Sequence, residues 1–298
     1  MLPLTPAGTR AASPEDGERQ RIVASLEGRA IIREEDLSDY SAAQACYGPE
    51  AIASRKASLM RLLEAAIADE AMRTHDGPAP SAADLKADSE RIDRETRAPE
   101  ILACIKKHFE NNPSRYLKIF VWSSLVESRF RLFLMSDPGV QEPPNRVIGD
   151  ALKKVRKGES FETAARELSI TYSSGTYSLA ASTETRAPEA VGRFGMPWSP
   201  YEADFIKANL MGLTEGQMRG EPLDNGYDLR LVRLLAKSPD GQKWTFESIA
   251  ARKRSQEDWL KSIQKMKLEI RDTELGAWIA GIHGNPRLLA VNVTVAKP

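Results

Sequence analysis

Few residues of this chain have the types and spacing that acid–base or nucleophilic chemistry requires. The three histidines are His75, His108 and His283, and none of them falls between residues 145 and 235. The serine-rich stretch 173–178 has no histidine close to it in the sequence, and we interpret it as a loop. A serine without a neighbouring base is a weak nucleophile. The sequence therefore predicts no serine-dependent catalytic site.

The cysteines and the spaced glycines do not indicate a metal or cofactor site either. Cys46 and Cys104 are the two cysteines, and their spacing matches no metal-binding motif. Two interpretations stay open: two buried thiols, or one disulfide that joins two helices and requires an oxidising compartment. Gly212, Gly216 and Gly220 lie in a turn-rich region with no preceding buried strand, so they do not form a phosphate loop. We expect no metal and no cofactor.

Composition gives no indication of a nucleic-acid partner, of an anionic membrane as a partner, or of a membrane-spanning segment. The chain has 298 residues, enough for about two domains, and its 42 basic and 42 acidic residues cancel. This balance gives no reason to expect nucleic acid as a partner. The most apolar stretch, residues 116–135, contains Glu127, Arg129 and Arg131, so we interpret it as a buried helix and expect no transmembrane segment. Residues 1–4 are too short for a signal peptide; an exported protein would begin here after its cleavage site or anchor.

Residues 145–235 contain a more informative order of elements. Residues 151–169 read ALKKVRKGESFETAARELS, which predicts a helix that stops at Gly158 and a second one from Phe161. Residues 200–235 read PYEADFIKANLMGLTEGQMRGEPLDNGYDLRLVRLL. They predict a helix, a Leu-Thr-Glu-Gly turn, a short extended piece, a turn at Asn225-Gly226 and a closing strand.

In order and spacing these segments resemble the parvulin (PpiC-type) family of peptidyl-prolyl isomerases, or rotamases. The resemblance implies a small α/β domain over residues 145–237. An active parvulin places one histidine at the start of the closing strand and another on the first strand. Here Asp228 occupies the first position, and the segment 137–144, where the first strand should lie, contains three prolines. The resemblance therefore implies a degenerate proline pocket, with isomerase activity absent or weak, whose candidate residues are Asp228, Tyr201, Phe205, Trp198 and Met196.

The segments on either side predict a mainly helical α+β core. The sequence predicts a mobile, polar tail over residues 1–20, a strand at Ile22–Leu26 and a helix over residues 50–73. Ser81 and Asp84 resemble a capping box, and Pro99 and Pro113 begin two further helices. This order resembles the SurA/PrsA family of periplasmic chaperones and foldases, in which a helical core brackets parvulin domains. We assign residues 21–140 to the first part of that core.

Residues 245–298 are predicted to complete the core. Apolar residues at helical spacing predict one long helix over residues 245–283, ended by glycines and Pro286. Residues 289–295 alternate in the manner of a half-buried strand. Because a lone strand needs a partner, we expect residues 289–295 to pair with Ile22–Leu26.

Three functions remain open. The first is a SurA/PrsA-like chaperone or foldase of the periplasm or cell envelope that binds unfolded, exported polypeptides. The second is a weak prolyl isomerase, and the third an accessory protein with one dedicated envelope or secretion partner. For the first we expect clients to contact an apolar cleft formed by aromatic side chains, namely Tyr116, Phe120, Trp122, Phe130, Phe133, Trp259 and Trp278.

Overall fold

A computed structural model describes residues 14–48, 54–95, 97–179 and 206–296. The architecture is mixed α+β with helix predominating, which confirms the predicted fold class. The chain forms two compact units. One combines residues up to Phe133 with those from Gln256 onward, and the other is Leu134–Ser255. We call them the flanking unit and the inserted unit.

The elements follow one another along the chain in this order. The first half has α1 (Pro14–Arg19), β1 (Ile22–Leu26), β2 (Arg29–Arg33), α2 (Glu34–Ala45), α3 (Arg55–Arg73), α4 (Ala82–Glu95), α5 (Pro99–His108), α6 (Pro113–Arg115), a π-helical stretch (Tyr116–Val121), α7 (Trp122–Ser136) and α8 (Glu142–Arg156). The second half has α9 (Phe161–Glu167), β3 (Thr171–Ser178), a π-helical turn (Ile206–Leu210), β4 (Leu223–Asp224), β5 (Asp228–Lys237), β6 (Lys243–Arg252), α10 (Gln256–Ser262), β7 (Met266–Ile270), α11 (Thr273–Ala280), a 3₁₀ turn (Pro286–Ala290) and β8 (Val291–Val295).

Short sequence signals set the helix starts of the flanking unit. Pro99 and Pro113 stand in the first turns of α5 and α6, where a missing amide hydrogen costs nothing. Before α4, the Ser81 amide donates to the Asp84 carboxylate at 2.8 Å and the Asp84 amide donates to Ser81 Oγ at 3.2 Å. These reciprocal bonds confirm the predicted capping box.

The sheet of the flanking unit has the strand order β2-β1-β7-β8. Strand β1 is antiparallel to β2 and to β7, and β8 joins β7 in parallel. The predicted direct pairing of residues 289–295 with Ile22–Leu26 is therefore wrong, although both segments belong to one sheet. The sequence reasoning missed β7, whose Leu268 lies opposite Leu26.

An arginine at the start of α3 joins the two halves of the flanking unit. Arg55 donates to Glu34 at 2.7 and 2.8 Å and to Asp272, the N-cap of α11, at 2.8 Å. The bond from Arg55 lowers the pKa of Glu34. Burial alone would raise the pKa of Asp272, but the Leu275 amide and Arg55 outweigh it and lower that pKa. The network thus holds two carboxylates ionised at the junction.

A disulfide joins Cys46, which follows α2, to Cys104 on α5. Of the two interpretations of the cysteines, the structure therefore selects the bridge. Cys46 packs against a small core that contains Ile105 and Phe109, whereas Cys104 lies at the surface.

The inserted unit is an antiparallel sheet of order β3-β6-β5-β4 with helices packed on it. Helices α8 and α9 cover one face, and Phe161 is fully buried there between the helices and Leu231. Residues 137–144 form no strand, as predicted, because two of their prolines lie in the first turn of α8. The extended residues 173–178, which we expected to be a loop, belong to β3 and pair along β6.

The predicted long helix over residues 245–283 is wrong. That segment contains β6, α10, β7 and α11, and β6 is a central strand with buried residues on both faces. Burial on both faces removes the simple alternation that marks a strand, so the apolar residues matched a helical spacing as well. The hairpin turn at Asp240-Gly241, with Gly241 at φ +68°, was a signal for the strand. Because β6 pairs with β5, the inserted unit extends beyond the predicted limits of 145–237.

Candidate functional site

Asp228, for which the sequence resemblance predicted a histidine position, belongs to an ion pair at the start of β5. The turn before β5 is fixed by Asn225 Oδ1, which accepts the amides of Tyr227 at 2.9 Å and Asp228 at 2.7 Å. The Asp228 carboxylate then accepts from Arg230 at 3.1 Å. Arg230 also donates to Ser248 Oγ at 3.3 Å.

Asp228, Arg230 and Ser248 form a row of polar side chains that continues across the sheet. Ser248 on β6 lies 2.8 Å from Ser173 on β3, and each hydroxyl can serve as donor or acceptor. Asp228 and Arg230 are largely shielded from water and satisfy each other. Nothing in the row provides a free base or a nucleophile with a base beside it. The other predicted pocket residues, Tyr201, Phe205, Trp198 and Met196, lie outside the described residues.

Three of the predicted client-binding side chains belong to the core of the flanking unit. Phe130, Phe133 and Trp259 are at most 5% exposed. Their ring centroids lie 5.8 Å apart for Phe130 and Trp259 and 5.5 Å apart for Phe133 and Trp259. These aromatic side chains cover one another, so they offer no surface to a client. Their assignment as client-binding residues stays a prediction, and this burial gives it no support.

The same core holds a buried ion pair over an aromatic ring. The Arg287 guanidinium lies 3.8 Å from the centre of the Phe130 ring and donates to Glu127 at 2.8 Å. Burial lowers the pKa of Arg287, and Glu127 opposes that shift. Stacking and pairing together explain how an arginine is accommodated among aromatic residues.

Of the other aromatic candidates, Tyr116 is buried, whereas Phe120, Trp122 and Trp278 are half-buried. Tyr116 and Phe120 are stacked with their ring centroids 5.8 Å apart. Tyr116 lines a cavity of about 390 Å³ between α4 and α5, and Phe120 lines a polar cavity of about 560 Å³ beside α2. Trp122 lines a third cavity, and Trp278 is half-buried on α11. The candidates therefore do not converge on one cleft.

The cavity beside Trp122 has the character of a binding site. It measures about 410 Å³, within the range of ligand sites, and we call it the apolar groove. Its walls come from the β1–β2 hairpin, from α2, α3 and α4, and from the helical segment around the π-helical stretch. The lining residues are Leu26, Arg29, Ile31, Asp36, Leu62, Ala66, Asp69, Glu70, Ala82, Leu85, Ser114, Leu117, Lys118, Ile119 and Trp122.

The apolar walls follow from local periodicity. On α3, Leu62, Ala66 and Asp69 follow one another at spacings of four and three residues, so they share one face of the helix. On β2, Arg29 and Ile31 alternate onto the face that lines the groove. Strand β2 is also an edge strand of its sheet, so an extended chain could add beside it.

The carboxylates of the groove differ in their partners. Asp36 accepts the Arg33 amide at 2.8 Å and pairs with Arg115 at 3.2 Å. Glu70 is bound by both Arg29 and Arg73.

Asp69 is the exception among these carboxylates. Its Oδ1 atom is shielded from water and has no hydrogen-bond partner within the described part of the chain. Burial, and then the neighbouring Glu70, raise the pKa of Asp69. An aspartate that interrupts the apolar face of α3 was the sequence signal for this site, and the sequence reasoning did not use it.

The described residues contain no helix that is long and apolar enough to cross a membrane, and no group of side chains arranged to hold a metal ion. Comparison with family models, with curated protein sequences and with solved structures finds no match to this chain.

Proposed function

We propose that the protein binds extended, apolar segments of unfolded polypeptides in the apolar groove, as a chaperone or foldase of the SurA/PrsA type would. The observation that carries this proposal is the combination of an apolar groove with the edge strand β2, two of whose side chains, Arg29 and Ile31, line the groove. A bound segment would pair its backbone with β2 and send alternate side chains into the groove.

The groove suits weak, reversible binding. Half-buried apolar side chains, among them Ile31, Leu85, Leu117 and Trp122, would be covered by a client. Each buried client side chain contributes roughly 1.5–3 kcal/mol, and association itself costs several kcal/mol. Two or three such contacts would therefore give a weak affinity, so that a bound client dissociates again.

An oxidising compartment is part of the same proposal. The disulfide between Cys46 and Cys104 supports the periplasm or the cell envelope as the location, because reducing compartments rarely maintain such bridges. The inserted unit would then be a structural or peptide-binding domain. Prolyl isomerase activity receives no support from the described residues, since Asp228 is engaged by Arg230.

Suppression of aggregation tests the proposed function. Chemically unfolded citrate synthase is diluted into buffer with the full-length protein, and light scattering is followed. We expect the wild type to suppress scattering and the double variant Ile31→Ser/Leu85→Ser to lose most of the effect. Met211→Ser removes an exposed apolar side chain of the inserted unit and serves as the matched control.

Thermal melts of all three proteins verify that they are folded. Protection by the double variant equal to that of the wild type would exclude the groove as the binding site. No protection by the wild type would leave a single dedicated partner as the alternative function.

A further inference from the structure

The charged side chains that line the apolar groove differ in whether they have an ion-pair partner. Arg29 is bound to Glu70, and the ammonium of Lys118 lies 3.9 Å from the Asp36 carboxylate. Asp69 forms no ion pair among the described residues, and its Oδ1 has no hydrogen-bond donor. The groove is therefore lined mainly by apolar side chains, with one carboxylate in its wall that has no direct ion-pair partner among the described residues.

Asp69 is only partly exposed, and its Oδ1 atom, shielded from water and without a donor, is unfavourable in the empty groove. Burying such a group without a donor costs free energy, which agrees with the raised pKa of Asp69. A ligand that brings a cationic donor would remove this cost and gain a charge-assisted hydrogen bond. Arg29 and Arg73 act on Asp69 only through their charges, because both are bonded to Glu70.

We propose that the apolar groove selects extended segments in which a lysine or arginine accompanies the apolar side chains, and that Asp69 binds that cation. This inference rests on the proposed function and names the class of client. The apolar lining provides affinity for many sequences, and the carboxylate favours those with a basic residue in register with it. Anionic segments are disfavoured, because the Asp69 carboxylate lies in the wall that they would contact and has no ion-pair partner among the described residues.

Peptide binding measures this preference directly. Three fluorescein-labelled nine-residue peptides alternate leucine and serine and differ only at the central position, which is lysine, glutamine or glutamate. Fluorescence anisotropy gives the affinity of each for the full-length protein. A hydrogen bond between charged groups corresponds to roughly a tenfold advantage of the lysine peptide over the glutamine peptide. The glutamate peptide should bind more weakly than both.

The variant Asp69→Asn keeps the shape of the side chain and removes its charge. We expect it to reduce the advantage of the lysine peptide over the glutamine peptide to less than twofold. Glu274→Gln neutralises an exposed carboxylate of α11 in the same unit and is the matched control, with the full preference retained.

The possible results separate the two proposals. Equal affinities of the wild type for the lysine and glutamine peptides would overturn the role of Asp69 while leaving the groove as a binding site. A lysine preference that survives Asp69→Asn would overturn it as well. Failure of all three peptides to bind would refute both the proposed function and this inference.

Discussion

Removal of the disulfide between Cys46 and Cys104 should destabilise the flanking unit strongly. The bridge closes a loop with a sequence separation of 58 residues. In the chain-entropy model, opening a loop of this length returns about 14 cal/mol/K to the unfolded state, or about 4 kcal/mol at 25 °C. For a protein of this size, about 1 kcal/mol corresponds to roughly 2–4 °C in Tm, so we expect a decrease of about 8–16 °C.

Differential scanning calorimetry with and without a thiol reductant measures this decrease. Cys104 lies at the surface, so the reductant can reach the bridge without unfolding the protein. The double variant Cys46→Ala/Cys104→Ala should melt at the temperature of the reduced wild type and should not respond to the reductant. Thiol titration in denaturant should find free thiols only after reduction. Melting temperatures of oxidised and reduced protein within 2 °C of each other would refute the reasoning.

Further predictions concern charge and catalysis. Because burial raises the pKa of Asp69, the ionised carboxylate lowers the free energy of unfolding at pH values above that pKa. Asp69→Asn should therefore increase the free energy of unfolding, measured in urea at pH 7, by on the order of 1 kcal/mol. This gain should shrink as the pH falls towards about 4, the ordinary value for an aspartate. No gain at pH 7 would contradict this assignment. Glu34 and Asp272 have lowered pKa values, so their ion pairs with Arg55 stabilise the folded protein fully at pH values above the ordinary carboxyl pKa. This stabilisation is lost as the pH falls through the lowered pKa values. Arg55→Ala should therefore move the acid-unfolding midpoint to higher pH, as followed by circular dichroism, and an unchanged midpoint would argue against the network. In a protease-coupled proline-peptide assay we expect only the background rate, because Asp228 is held in an ion pair, whereas robust turnover would support the isomerase alternative.

The elements that the sequence predicted well are those whose signals are local. Pro99, Pro113 and the pair Ser81 and Asp84 mark helix starts through contacts within one turn, and each start was confirmed. The region 245–283 failed because β6 is buried on both faces and owes its conformation to pairing with β3 and β5. The pairing with β3 is non-local, and such pairing leaves no period in the sequence.

The candidate site could be predicted only in part, for a related reason. Aromatic residues on α7 fall at similar spacings whether they face the core or a cavity. Phe130 is fully buried and Trp122 lines the apolar groove, and only the packing of other elements distinguishes them. Asp69 was visible in the sequence as a charge on an apolar helix face, but its lack of a partner depends on residues far along the chain.

The division of the flanking unit between two separate parts of the chain has a consequence for synthesis. Strand β1 needs β7 as its neighbour, and β7 follows the whole inserted unit. A nascent chain that has reached residue 255 can complete the inserted unit, but it leaves one edge of β1 open. The polypeptide proposed to shield unfolded segments of other proteins thus passes through a stage in which its own sheet presents an unpaired edge. Until residues 266–270 emerge, it is itself a substrate for strand addition.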